Sequence, residues 1–287
     1  MNKWAFLTKI HIHPLFWVVA VIGVVTAHFQ DIIVLFTIVF IHELGHAIVA
    51  SYYSWRIRRI MLLPFGGMAE VDEHGNRPLK EEAFVILAGP IQHLWLFLLA
   101  FFLHDTSLIS DGLFEKIWNY NWMILLFNCL PILPLDGGKL MLLFFANFWP
   151  YLVAMKRSLF FSLLFLLGYA CSLLYVGPLH FNGWLIVGFL GFSIYNEWKE
   201  HPYIFIRFLL ERYEKREERE LIPTEKRIRA SVDDSVSEVI KKFQRGKKHA
   251  VIVYEGRIAL KKLKESTLLE AFFDGNSKKR TIFDLLS

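Results

Sequence analysis

Long apolar runs fill the first two thirds of the chain. The runs with at most one Asp, Glu, Lys or Arg are residues 10–30, 32–55, 83–104, 117–138 and 158–196. A helix that crosses a membrane needs roughly 20 mostly apolar residues. The last run is long enough for two such helices, with Gly177-Pro178 as the natural break between them. The pattern predicts an α-helical polytopic membrane protein with six transmembrane helices in a domain of residues 1–197.

The fourth of these spans is expected to be irregular. Pro131 and Pro134 fall inside it, and a proline in a helix removes a backbone hydrogen bond. Irregular backbone is tolerated at membrane depth where it lines a polar cavity. We therefore expect residues 117–138 to form an interrupted helix.

A different pattern begins after the last apolar run. Residues 198–222 start with aromatic and aliphatic side chains and continue with a mixed charge run. This predicts a linker helix, either amphipathic on the membrane surface or an ordinary connection. Residues 223–287 carry the pattern of a small α/β domain. Its predicted elements are a helix that follows the cap residue Ser235, a strand over 251–254 and a helix over 266–273.

Composition supports this division. The chain is 55% hydrophobic and 21% charged, against about 45–50% and about 25% for a soluble domain. Residues 198–287 hold 21 of the 32 Lys and Arg but only 15 of the 27 Asp and Glu, so the positive charge belongs to the C-terminal third. Disordered, collagen-like and disulfide-stapled proteins are excluded. We expect no nucleic-acid partner, because the basic residues are interleaved with acids and no recognition motif is present.

Basic residues between the predicted spans indicate the orientation in the membrane. Five Lys and Arg lie between the second and third spans, and Lys156 and Arg157 follow the fourth. The opposite side holds Lys116 together with three acids. Because loops rich in Lys and Arg stay in the cytoplasm, both termini are predicted to be cytoplasmic.

Two carboxylates lie within the predicted spans, where an ionised group costs at least roughly 2.5–3.5 kcal/mol and indicates function. Glu43 belongs to the sequence His42-Glu43-Leu44-Gly45-His46. Positions i and i+4 share one helix face, so the two histidines can hold one zinc ion. Glu43, placed beside that ion, can take a proton from the water that the metal activates.

Asp136 is the second intramembrane acid and the candidate for a third ligand. A catalytic zinc usually has three protein ligands and one open position. The prolines before Asp136 and the glycines after it would unwind the helix and direct the carboxylate towards the second span. Asn128, eight residues earlier, offers an amide to a substrate backbone or to a developing oxyanion.

These motifs resemble the site-2 protease family of intramembrane zinc metalloproteases. Two smaller features extend the resemblance, Phe65-Gly66-Gly67 and Ala88-Gly89-Pro90. The resemblance implies that zinc is bound by His42, His46 and Asp136, that Glu43 is the general base, and that Asn128 contacts the substrate. It assigns no role to His93.

Residues 57–73, between the second and third spans, are predicted to form a short hairpin or a re-entrant loop. Phe65, Gly66 and Gly67 occupy the turn, and alternation follows it. In a site-2 protease such a segment can present an edge strand that pairs with an extended substrate. The alternative is a plain loop at the membrane surface.

Within the family, the chain resembles the sporulation branch, which removes the pro-sequence of the sigma factor pro-sigma-K. This implies a pro-sigma-K-like protein substrate and BofA-like and stage IV sporulation protein FA-like membrane regulators. It also implies a location in the outer forespore membrane, facing the mother-cell cytoplasm.

Residues 223–287 resemble a single CBS domain, a module that binds ATP or another adenine nucleotide and usually works in pairs. One copy per chain implies a homo-oligomer. Thr267 and Lys264 stand where the usual nucleotide-binding residues are expected, so the match is incomplete. The alternative for this basic region is a docking surface for the substrate.

The predicted function is a zinc-dependent intramembrane endopeptidase that cuts a membrane-associated protein near the cytosolic interface. A CBS-regulated membrane transporter with a His/Asp metal site is the alternative. It accounts for acids within the membrane, but not for a glutamate placed between two zinc ligands.

Overall fold

The computed structural model describes residues 10–12, 14–55, 57–63, 66–71, 77–177, 181–215, 225–274 and 281–286. They form two compact units. The first is drawn from residues 1–73 and 80–140, and the second from residues 74–79 and 141–287. The predicted domain limits at residues 197 and 222 stay a prediction.

The first unit is a helical core with a small sheet. Its helices are α1 (Pro14–Val25), α2 (Phe29–Tyr52), α3 (Leu79–Asp105), α4 (Asp111–Asn128) and the first turn of α5 (Asp136–Phe148). Buried aliphatic side chains join α2, α3 and α4: Val34, Ile38, Val39, Leu96 and Ile124. A second patch joins α2 to α3 through small residues, Ala47 and Ala50, packed on Val85. Small side chains let the two backbones approach closely, as is typical of helix packing in membranes.

The small sheet includes the hairpin predicted for residues 57–73. Its strands are β1 (Ile10–Ile12), β2 (Ile57–Leu63) and β3 (Gly66–Val71), in the order β1-β2-β3. β1 runs parallel to β2, and β2 is antiparallel to β3 with Ile60 opposite Ala69. Among the described strands, β3 therefore forms one edge of this sheet.

The second unit begins with two long helices, α6 (Tyr151–Val176) and α7 (Phe181–Glu214). The predicted linker helix of residues 198–222 is not a separate element, because residues 198–214 are the second half of α7. Pro202 lies inside α7 without ending it. The helix continues because Phe205, Phe208 and Leu209 beyond the proline are buried in an apolar core.

The C-terminal part of this unit is a mixed three-stranded sheet with two helices. Its elements are β4 (Glu225–Ser231), α8 (Val236–Ile240), β5 (Lys248–Glu255), β6 (Ile258–Lys264), α9 (Glu265–Phe273) and a 3-10 turn (Phe283–Leu285). The strand order is β4-β5-β6, with β5 parallel to β4 and antiparallel to β6. The predicted cap is present, since Ser235 and Glu238 form a reciprocal capping box. We call residues 225–286 the C-terminal module.

The core of the second unit joins this module to the long helices. Tyr151 of α6 and Phe208 of α7 stack with ring centroids 4.6 Å apart. Leu209 of α7 belongs to the same cluster as Ile240 and Val251 of the module. The module is therefore packed on the ends of α6 and α7.

Three helices in the described part of the chain are long and apolar enough to cross a membrane: α2, α3 and α6. Many of their apolar side chains are exposed, including Leu98 and Phe101 of α3 and Phe160 of α6, as expected for surfaces that face lipid. The chain is thus an integral membrane protein, and the full number of six spans stays a prediction.

Candidate metal centre

The two histidines of the predicted motif lie together on α2. His42 and His46 are one helical turn apart and both are buried. Their Nε2 atoms are 3.1 Å from each other. Since neither ring is turned towards solvent, the two nitrogens point into the interior of the first unit.

Asp136 completes this group, as the sequence predicts. α4 ends at Asn128, the stretch with Pro131 and Pro134 is non-helical, and α5 begins at Asp136 itself, so the predicted interruption is confirmed. Asp136 Oδ2 lies 3.1 Å from Nε2 of His42 and 3.1 Å from Nε2 of His46. Its other oxygen, Oδ1, accepts from Lys139 Nζ at 3.3 Å.

A glycine next to the carboxylate makes this turn of the chain feasible. A Cβ at Gly137 would overlap the carbonyl oxygen of Cys129. Without a side chain, the first turn of α5 can lie against the loop that precedes it. The backbone at this point thereby directs Asp136 into the site instead of along the helix surface.

The three facing atoms suit a metal ion. They form a triangle with 3.1 Å sides, and ligands held about 2.0–2.1 Å from a tetrahedral zinc lie about 3.3 Å apart. Asp136 Oδ2 is buried and receives no hydrogen bond within the described ranges. Buried acceptors that face one another without a donor are costly, and a cation would satisfy all three at once. His42, His46 and Asp136 therefore fit a zinc ion with a position left for water or substrate.

Residues of helix α3 contact the Nδ1 atom of both histidine rings. His46 Nδ1 lies 2.8 Å from the carbonyl oxygen of Val85, which can only accept, so His46 carries its proton on Nδ1. His42 Nδ1 lies 3.0 Å from Nε2 of His93, and His93 Nδ1 lies 2.6 Å from Oδ1 of Asn121 on α4. These partners were not predicted as site residues.

Gly89 lies between those two contacts, and its lack of a side chain leaves room for both histidine rings. A Cβ there would overlap Nε2 of His46 and lie 2.7 Å from Nε2 of His42. Val85, Gly89 and His93 are four residues apart in turn and so share one face of α3. This spacing is visible in the sequence, but only the packing of α3 on α2 shows that the face meets the two histidines.

The other predicted site residues have different surroundings. Glu43 is buried on α2 beside His42. Asn128 is partly buried at the end of α4, and its Nδ2 donates to the carbonyl oxygen of Ile124 in the same helix at 3.0 Å. The sequence predicts Gly66 and Gly67 in the hairpin turn, but they begin β3 and pair with Leu63 and Leu62 of β2. Phe65 lies outside the described residues.

Comparison with known proteins identifies the class of enzyme. The sequence profile of Peptidase family M50 matches residues 30–119, which include the histidine motif. The structure of a site-2 protease from Methanocaldococcus jannaschii superposes with a TM-score of 0.53 and 26% identity, covering 66% of this chain and 89% of that chain. The chain belongs to the M50 family of site-2 type zinc metalloproteases and is an enzyme of that type.

A relative with similarity along the whole chain is stage IV sporulation protein FB of Bacillus subtilis. The two sequences are 44% identical over 289 residues, covering 100% of this chain and 99% of that protein. A zinc metalloprotease of Methanocaldococcus jannaschii is 33% identical over 129 residues, covering 43% of this chain and 37% of that protein. These matches confirm the predicted protease and do not favour the transporter alternative.

Proposed function

We propose that this enzyme removes the pro-sequence of a pro-sigma-K-like sporulation factor, using a zinc ion held by His42, His46 and Asp136. The observation that carries the proposal is the buried triangle of three acceptor atoms, each 3.1 Å from the other two. Similarity over the whole chain to stage IV sporulation protein FB supports the choice of substrate.

Bound zinc would lower the pKa of water and polarise a peptide carbonyl. We assign Glu43 as the group that takes the proton from the attacking water and delivers it to the leaving amine. Its burial beside His42 supports this role, because a carboxylate shielded from bulk water exchanges its proton within the site. His42 and His46 keep their Nε2 lone pairs directed inward and do not transfer the proton.

The substrate must reach the site in an extended form, since a helix hides its carbonyl groups in hydrogen bonds. We propose that it adds as a strand to the outer edge of β3, where Gly66 and Gly67 would allow close backbone approach. Contact between β3 and α2 within the first unit supports this location. Asn128 would use its second amide N–H to orient the substrate, since its first is bonded to Ile124.

The similarity to stage IV sporulation protein FB also supports proposals for the number of spans, the orientation, the location and the regulators. We propose six spans with both termini in the cytoplasm, in the outer forespore membrane, where the substrate's membrane-associated segment is accessible from the mother cell. BofA-like and stage IV sporulation protein FA-like membrane proteins are the proposed regulators. The basic loops between the predicted spans support this orientation.

For the C-terminal module we propose a CBS-like role in which ATP or another adenine nucleotide binds and two chains pair. A shallow surface depression of about 250 Å³ in the module supports the choice; it is lined by Arg229, Ala230, Ser231, Tyr254 and Gly256. The guanidinium of Arg229 lies 4.3 Å from the centre of the Tyr254 ring. A cation and an aromatic ring are suited to a phosphate and a purine.

The test is Glu43→Gln in full-length protein co-expressed with pro-sigma-K. We expect cleavage to fall by about 10²–10⁴-fold, the usual contribution of a general base, while zinc content stays at one ion per chain. Glu115→Gln is the matched control, because Glu115 is exposed on α4. Unchanged cleavage in Glu43→Gln would contradict the assigned base, and zinc-independent cleavage would contradict the whole proposal.

A further inference from the structure

We infer that His93 and Asn121 are positioning residues that fix the tautomer and the orientation of His42. The inference rests on the proposed zinc site and adds to it an outer set of contacts that spans three helices. His93 lies on α3 and Asn121 on α4, and both side chains are completely buried. Neither residue touches the three proposed ligand atoms directly, so their effect would pass through the ring of His42.

The orientation of the Asn121 amide is set by a backbone group. Asn121 Nδ2 donates to the carbonyl oxygen of His93 at 3.0 Å, so Oδ1 is the atom that lies 2.6 Å from His93 Nδ1. The reverse orientation would place two oxygen atoms against each other and two nitrogens together. Asn121 therefore presents an acceptor to His93, and His93 must carry a proton on Nδ1.

The direction of the next hydrogen bond follows from this. His93 is fully buried, and its hydrogen-bond partners in the described structure are His42 and Asn121, neither of them a carboxylate. A buried imidazole without a charged partner is neutral, so its Nε2 is an acceptor. His42 Nδ1, 3.0 Å away, must then donate, which leaves the lone pair of His42 Nε2 for the metal.

Both proposed histidine ligands are thus oriented by one face of α3, but by different means. His46 donates to the fixed carbonyl oxygen of Val85. His42 donates to a side chain, His93, that is itself held by Asn121. Substitution cannot remove the backbone carbonyl of Val85, whereas the contacts of His93 and Asn121 can each be removed by a single substitution. Outer partners of this kind typically change metal affinity by about 10–100-fold.

The test measures zinc affinity by chelator competition on purified full-length protein. We expect His93→Phe to weaken zinc binding by about 10–100-fold and to alter the visible absorption of the cobalt-loaded protein. His93→Gln should recover most of that loss, because its Oε1 can accept from His42 Nδ1. His104→Phe is the matched control on the same helix; His104 is only partly buried, lies away from the proposed ligands and bonds to Asp111 at 2.9 Å.

A double variant tests the order of the contacts. Asn121→Leu alone should weaken zinc binding, but adding it to His93→Phe should cause no further loss, because Asn121 acts through His93. Additive losses, a failure of His93→Gln to recover affinity, or wild-type affinity in His93→Phe would each overturn the inference. If Asp136→Asn also leaves zinc affinity unchanged, the proposed set of zinc ligands is wrong. If Asp136→Asn abolishes zinc binding, the ligand set is supported and only the inferred role of His93 and Asn121 is wrong.

Discussion

The enzyme buries a histidine–carboxylate cluster in each of its two units, and the two clusters are built in opposite ways. In the first unit, His42, His46 and Asp136 direct acceptor atoms at one another at 3.1 Å. In the second, both oxygens of Glu265 receive donors: Arg212 at 2.7 Å and the backbone N–H of His249 at 2.9 Å.

The second cluster is satisfied by the chain itself. Arg212 of α7 is 0% exposed, and it also donates to the carbonyl oxygen of Gln244 at 2.7 Å and lies 4.4 Å from the centre of the Phe208 ring. The backbone N–H of Gln244 is 3.1 Å from Nε2 of His249. Both clusters are buried and both combine histidine with a carboxylate, but the second also contains Arg212. What distinguishes the proposed zinc site is that, among the residues the structure describes, no donor meets the point where its three acceptors converge.

The largest effect should come from the first cluster. Asp136→Asn replaces a charged acceptor by an amide, so zinc should be lost and cleavage should fall by about 10⁴-fold or more, because bound zinc strongly lowers the pKa of its water. Metal analysis and a substrate-cleavage assay check this. Near-normal zinc content would show that the carboxylate is not a ligand, and Asp111→Asn on exposed Asp111 is the control.

A large effect on stability, independent of zinc, is expected in the second cluster. Arg212→Met leaves Glu265 buried without its cation, and such a change typically costs about 3–5 kcal/mol of unfolding free energy. Limited proteolysis of the C-terminal module, with and without chelator, measures it. Adding Glu265→Gln should restore part of the stability, whereas Arg227→Met at exposed Arg227 should change little. Equal stability of Arg212→Met and wild type would make the comparison wrong.

A smaller effect is expected from a single methyl group at the zinc site. Gly89→Ala places a Cβ against Nε2 of both histidines, and we expect zinc affinity to fall by about 10–100-fold, as for other changes that move a ligand. Gly168→Ala is the matched control, because the helical Gly168 has open space at the Cβ position. Zinc titration of both variants checks the prediction, and indistinguishable affinities would contradict it.

The smallest effect should come from an exposed pair with the same chemistry as Arg212 and Glu265. Lys262 Nζ donates to Glu225 at 2.8 Å, and this hydrogen bond lowers the pKa of Glu225 from its ordinary value. A carboxylate with a lowered pKa stabilises the fold above its unfolded-state pKa and loses that contribution as pH falls.

Glu225→Gln should therefore leave the midpoint temperature of thermal unfolding at pH 7 nearly unchanged. The wild-type protein should lose a small amount of stability between about pH 5 and pH 3, and the variant should not show that loss. A series of thermal unfolding curves over that range checks this. If Glu225→Gln lowered stability at pH 7 as much as Arg212→Met, burial would not explain why the two ion pairs contribute differently to stability.

Several parts of the fold and site follow from local sequence. His42 and His46 share a face because the helix has 3.6 residues per turn, and the prolines around residue 131 interrupt the helix because they lack an N–H. The alternation that follows Gly66 and Gly67 predicts the β2–β3 hairpin, although the two glycines lie in β3 and not in the turn, and Ser235 predicts the start of α8. Each of these depends on groups within about one or two turns of chain.

Other parts depend on contacts between distant segments. Nothing in the local sequence around His93 assigns it a role, and only the packing of α3 against α2 and α4 makes it the partner of His42 and Asn121. The predicted separate linker helix is instead the second half of α7, where burial of Phe205, Phe208 and Leu209 keeps the helix continuous past Pro202. Arg212 belongs to a run that looks solvated in sequence, and it is fully buried.

The sequence by itself determined the class of chemistry: a zinc-binding pair on a membrane helix, a glutamate between them and a third acid after an interrupted helix. These are matters of spacing along one chain, for which helix geometry is sufficient. Only the tertiary structure decided which buried cluster has acceptors without donors, and which residues hold the proposed ligands from behind. That distinction depends on where each lone pair and each N–H meets a partner from another helix, and spacing along the chain does not specify it.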